Sequence, residues 1–154
     1  MAWALIGSDA LPSRWAALAD RQTLRSDLLV FPHHGGAFSE SGVSYTVEDL
    51  LEAVSPSVVA VSVGSANRYQ HPHPQVLADI RGWVIKNNAR LVCTQLNEIC
   101  RVAAAKAGAG APNMPCAGTI RVSRSGGVLG VEPSLAAHAT TVDAAADPHC
   151  RPPT

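Results

Sequence analysis

Asp27-Leu28-Leu29-Val30-Phe31-Pro32-His33-His34-Gly35-Gly36 reads as a buried apolar strand that stops at a proline and delivers two histidines into a glycine-rich loop. A second stretch, Asn67-Arg68-Tyr69-Gln70-His71-Pro72-His73-Pro74, follows the apolar run of residues 58–63 in the same way. Together the two hold four of the six histidines. Imidazole binds zinc, manganese or iron and exchanges protons near neutral pH. Loops at the ends of parallel strands are where an α/β protein places its chemistry.

Working outward, the chain alternates strand and helix. Trp3-Ala4-Leu5-Ile6 is a short apolar run bounded by Gly7-Ser8, which predicts a strand. Leu11, Trp15, Ala16 and Leu18 recur at helical spacing, with Pro12 suited to a first turn. Thr46 followed by Glu48 and Asp49 predicts a capped helix through Val54, stopped at Ser55-Pro56. Residues 58–63 are β-branched and apolar on both faces, as a central strand of a covered sheet should be. Pro74 opens a helix whose apolar stripe is Val76, Leu77, Ile80, Val84 and Ile85; it ends at Asn87-Asn88, and residues 90–94 return as a strand. Such alternation favours an α/β sheet with right-handed crossovers. One sheet face is expected to stay uncovered if this is half of a larger domain.

The last third has a different texture. Residues 103–111 are an Ala/Gly stretch, and residues 120–131 predict a hairpin turning at Ser125-Gly126-Gly127. Residues 133–154 are mostly small and polar and are expected to be poorly ordered unless something ties them down.

Composition sets the outer bounds. At 154 residues the chain is one domain at most, with a formal charge of zero, so no basic stripe announces a nucleic-acid partner. Bound metal ions supply positive charge locally, so a nuclease remains compatible with that balance. No apolar run approaches the roughly 20 residues of a membrane span, so no membrane partner is expected. The start, Met1-Ala2-Trp3-Ala4, lacks a basic signal-peptide region, which makes a cytoplasmic location the expectation. Four cysteines in that setting are expected as reduced thiols or metal ligands.

The two histidine motifs in this order, each after a strand and before a helix, resemble one known pattern. Over roughly residues 1–94 the chain is similar to the C-terminal half of the metallo-β-lactamase domain of ComEC-type DNA-internalisation proteins and their soluble relatives. The resemblance implies half of an αββα sandwich over residues 1–94, followed by a small cysteine-containing hairpin extension over residues 95–154. It implies a metal-dependent hydrolase acting on phosphodiesters, nuclease-like, with a catalytic pair of zinc or manganese ions. Asp9 would correspond to the family's bridging carboxylate, and His33 or His34 to its late histidine ligand. We assign the metal to His33 and a catalytic role to His34. His71 is the second catalytic candidate, in proton donation or behind the ligands, while Asn67, Arg68 and His73 are candidates for substrate binding.

Blander readings stand beside these. Gly7-Ser8-Asp9 departs by one residue from the Gly-Asp of the relatives, and Asp9 reads equally well as a helix N-cap. His73 reads as a cap for the helix opening at Pro74, and Arg68 as a solvated loop residue. The family's His-x-His-x-Asp-His motif is absent from the sequence. A catalytic zinc normally needs three protein ligands, so the site is expected to be completed by a partner chain that supplies the N-terminal half.

Cys93, Cys100, Cys116 and Cys150 form a second candidate set, with His149 beside the last. A structural zinc on four thiolates, or on three and an imidazole, would fix the Ala/Gly stretch and the tail. The spacing contains no Cys-x-x-Cys, so four unrelated buried thiols are the alternative. At the level of function, the alternatives to a hydrolase are a non-catalytic, zinc-stabilised binding or regulatory module, and a fragment whose exposed sheet face drives homo-oligomerisation.

Overall fold

A computed structural model describes residues 3–64, 68–69, 71–96, 100, 116–142 and 150. Four short parallel strands, β1 (Ala4–Ile6), β2 (Leu28–Val30), β3 (Val58–Val61) and β4 (Arg90–Cys93), form a sheet in sequential order. Three helices cross between them: α1 (Pro12–Ala19), α2 (Val47–Val54) and α3 (Pro74–Lys86). Because every crossover steps to the next strand in one direction, right-handedness puts all three helices on the same face.

Side-chain alternation along the strands separates two cores. Leu29, Val59, Val61 and Leu91 point to the helices and pack with Trp15, Leu50, Leu51, Val54, Leu77 and Ile80. Burying each such Leu, Val or Ile contributes roughly 1.5–3 kcal/mol. Leu28, Val58, Ala60 and Val92 point the other way. That second face is not left bare. A hairpin, β5 (Arg121–Ser125) with β6 (Val128–Glu132), lays Ile120, Val122, Leu129 and Val131 against it. The result is a helix layer, a parallel sheet and a small antiparallel ribbon, which is an α/β architecture.

Local chemistry explains the element ends. Thr46 and Asp49 form a capping box at the start of α2: the Thr46 hydroxyl accepts from the Asp49 N–H, and the Asp49 carboxylate accepts from the Thr46 N–H. Ser55 ends the helix in a left-handed conformation, φ 49°, with its N–H on the Leu51 carbonyl. Pro12 and Pro74 each occupy the first helical position.

Residues 133–154 were expected to lack order unless something tied them down; of these, Leu135–Val142 is a helix, α4, and both His138 and Cys150 are buried. The hydroxyl of Ser134 accepts from the Ala137 N–H at its start. The Ala/Gly stretch at 103–111 and His149 lie outside the described residues. Among the described residues, no helix is long and apolar enough to cross a membrane.

Candidate functional site

All four parallel strands end on one edge, and the loops that leave β1, β2 and β3 there are locked together by backbone bonds. His33 N–H donates to the Ser8 carbonyl at 2.7 Å, joining the β2 loop to the β1 loop that carries Asp9. His73 N–H donates to the Gly35 carbonyl at 2.7 Å, joining the β3 loop to the β2 loop. Three glycines permit this closeness. A Cβ on Gly7 would sit 2.6 Å from the Pro32 nitrogen, one on Gly35 2.7 Å from the Pro72 Cβ, and one on Gly36 2.7 Å from His71 Cε1.

The histidines themselves are held in an unusual backbone. His33 and His34 both have left-handed torsions, φ 51° and 53°, inside the short turn Pro32–Gly35. Such torsions cost non-glycine residues on the order of 1 kcal/mol each and cluster where geometry serves function. The turn aims the His34 ring at the end of β3, where Nδ1 lies 2.8 Å from the Ser62 carbonyl. A carbonyl only accepts, so Nδ1 carries a proton. One ring nitrogen donating to a backbone carbonyl is how metal-binding imidazoles are commonly oriented.

His33 meets His71 edge-on, with ring centroids 5.1 Å apart. The ring of Tyr69 stacks on His71 at 5.8 Å and 20°. The Arg68 guanidinium lies over Tyr69, 4.6 Å from its centroid, and donates to the Tyr69 hydroxyl. Burial lowers the His71 pKa below its ordinary 6.5, and the neighbouring His33, His34 and His73 lower it further. At pH 7 His71 is therefore neutral and able to accept a proton or bind a cation.

The remaining candidates divide. His73 caps α3: its Nδ1 accepts from the Gln75 N–H at 3.3 Å, and a cleft of about 430 Å³ opens beside it, lined also by Phe38, Tyr45 and Asp79. Asp9 is exposed and does not cap α1, whose N-cap is Leu11 without a side-chain bond. Asn67 lies outside the described residues. A larger cleft, about 680 Å³, runs between the hairpin and the sheet and has no histidine in its walls, so it stands apart from this chemistry.

The cysteines gather elsewhere along the same edge, at the end of β4. Cys93, Cys100, Cys116 and Cys150 are all buried in one core cluster, and none is bridged. Cys116 Sγ lies 3.2 Å from Cys150 Sγ and 3.1 Å from His138 Nε2, and Cys150 Sγ is 3.6 Å from the same nitrogen. These three form a group able to hold a metal ion, while Cys93 and Cys100 sit outside that tightest set. The thiol of Cys150 is raised by its hydrogen bond to Cys116 and then by burial; that of Cys93 is raised first by burial. Sequence reasoning missed His138. The only signal available was the cap pattern Ser134-Leu135-Ala136-Ala137, which marks a helix and hence a place to bury a side chain.

Fold and site thus define an α/β protein with an imidazole cluster at the carboxyl edge of a parallel sheet and a separate buried thiol–imidazole group. Part of the chain is similar to bacterial competence proteins. It is 30% identical over 77 residues to ComE operon protein 3 of Bacillus subtilis (strain 168), covering 50% of this chain and 9% of that protein. It is 43% identical over 63 residues to Competence protein ComA of Neisseria gonorrhoeae, covering 41% of this chain and 8% of that protein. The matched stretch therefore spans less than a tenth of either relative. No protein-family model matches the chain, and no solved structure does.

Proposed function

We propose that the chain is the C-terminal half of a metallo-β-lactamase-type, metal-dependent hydrolase acting on phosphodiesters. In this reading the centre is completed by a partner segment that brings the His-x-His-x-Asp-His ligands. The observation that carries it is the orientation of His34, with Nδ1 on the Ser62 carbonyl, in the same turn as His33, whose ring meets that of His71. Imidazoles in that arrangement suit zinc or manganese. His34, His33 and Asp9 would hold the ions, which supply water activation and positive charge for the phosphoryl oxygens. His71, kept neutral, would accept the proton given up by the attacking water.

Exposed Tyr69 and Arg68 extend from His71 as an aromatic and cationic platform. A base stacks on such a ring and a guanidinium grips a phosphate, so a nucleic-acid substrate fits better than a small neutral one. The test is reconstitution. The chain is mixed with a segment that carries His-x-His-x-Asp-His, and cleavage of single- and double-stranded DNA and RNA is followed with zinc or manganese. Hydrolysis that needs metal and disappears in His34→Ala supports the reading. Equal hydrolysis by His34→Ala would falsify it.

A second reading, a non-catalytic binding or regulatory module stabilised by zinc, is favoured by one observation: the buried Cys116, His138 and Cys150 group. It expects metal in the protein without hydrolysis under any reconstitution.

A further inference from the structure

The thiol–imidazole group draws together residues far apart in the chain: Cys116 just before the hairpin, His138 on α4, and Cys150 beyond it. We propose that Cys116, His138 and Cys150 are three ligands of a structural zinc site, closed by a thiolate from Cys93 or Cys100, that clasps the hairpin and α4 onto the sheet. The assignment stands apart from the hydrolytic reading and survives its failure.

Four observations support it. The separations of 3.1, 3.2 and 3.6 Å lie at or within about half an ångström of the edges of a tetrahedron around one zinc, which bond lengths of about 2.3 Å to sulfur and about 2.0 Å to nitrogen put at roughly 3.5–3.8 Å. The sulfur atoms are too far apart for a disulfide, which needs about 2.05 Å. Burial is nearly complete: Cys116, His138 and Cys150 are 3%, 3% and 4% exposed, and Cys93 and Cys100 1% and 2%. The His138 Nε2 meets the thiols of both Cys116 and Cys150, and two or three thiolates with an imidazole are a ligand set that selects zinc over oxygen-loving cations.

The hairpin also needs a fastening that its own surface does not supply. Most of its strand residues are exposed. Among the described residues its polar ties to the sheet are Arg124 to Asp27 at 3.2 Å, Arg90 to the Pro133 carbonyl at 2.7 Å, Ala117 N–H to the Cys93 carbonyl at 2.8 Å and Gly118 N–H to the Thr94 carbonyl at 2.9 Å. A metal bridging Cys116, α4 and the end of β4 would anchor both ends of the ribbon, which places the ion where a strap is mechanically required.

The experiment is elemental analysis and native mass spectrometry of the full chain purified under reducing conditions, with cobalt substitution as the spectroscopic readout. The expectation is about one zinc per chain in the wild type and in a His33→Ala/His34→Ala double variant, falling below about a tenth in His138→Ala and Cys150→Ser. His138→Cys should keep the metal, and its cobalt form should gain thiolate charge-transfer intensity, which separates lost ligation from lost folding. One of Cys93→Ser and Cys100→Ser should lose zinc and the other keep it, naming the fourth ligand. Full zinc in His138→Ala, a zinc-free wild type, or a Cys116–Cys150 disulfide in protein kept reduced would each overturn the assignment.

Discussion

Thr94 and Val63 are joined twice: the Thr94 hydroxyl accepts from the Val63 N–H at 2.7 Å and donates to the Val63 carbonyl at 2.8 Å. One residue earlier, the Ser62 carbonyl holds His34 Nδ1. The side chain at the exit of β4 thus stiffens the segment that orients an imidazole in the loop after β2.

Thr94→Val keeps the shape and removes both bonds, leaving two partly buried backbone groups of Val63 unpaired. We expect a loss of about 1–3 kcal/mol in urea unfolding. The ¹⁵N shifts of the His34 ring should move toward a mixture of tautomers. Unchanged ring shifts would separate Thr94 from the orientation of His34.

His34→Ala and His33→Ala should not be equivalent. His34 has its tautomer set by the Ser62 carbonyl, whereas His33 packs edge-on to His71. Calorimetric titration with manganese, which the thiol group binds poorly, should show a drop of about 10-fold or more for His34→Ala and a smaller one for His33→Ala. The reverse order would make His33 the principal ligand of the pair.

Gly36→Ala and Gly7→Ala probe the loop contacts with different severity. A methyl group on Gly36 meets the His71 ring, which can turn aside, so metal binding should weaken while the fold survives. On Gly7 it meets backbone atoms of Pro32 at 2.6 and 2.7 Å, which cannot give without moving β2. Thermal unfolding should report a cost of about 1–3 kcal/mol at Gly7 and less at Gly36.

Acid should remove part of the stability of α2 and of the α1 contact. Hydrogen bonds from Thr46 hold the Asp49 carboxyl below its ordinary value, and those from Ser13 do the same for Glu40. The unfolded chain therefore takes up these protons first as pH falls. Their contribution is complete above the ordinary carboxylate range, about pH 4–4.5, and is lost below it. Asp49→Asn should flatten the dependence of the urea midpoint between pH 5 and pH 3, and Thr46→Ala should cost about 1 kcal/mol at pH 7.

How legible these features are in the sequence depends on their range. β3 is plain because its residues are apolar on both faces, and α2 because Thr46 and Asp49 cap it within one turn; both are local signals. The hairpin follows from Gly126-Gly127, each with positive φ. The clustering of His33 with His71 was expected only through the order of the motifs, since their proximity is made by backbone bonds between loops. The left-handed torsions of His33 and His34 have no local signature, because only a few per cent of non-glycine residues adopt them and the residue type does not say which. His138 stayed hidden for a related reason: its neighbours are alanines, and its burial is conferred by Cys116 and Cys150 from elsewhere in the chain.

Those two left-handed histidines set stability and function against each other. Glycine adopts φ near +50° without penalty, so His33→Gly or His34→Gly would relieve on the order of 1 kcal/mol of backbone strain while removing an imidazole. A library selected only for heat resistance should therefore enrich glycine at these positions and erase the cluster. Their retention as histidine in any hardened variant is itself a readout of selection for chemistry rather than for folding.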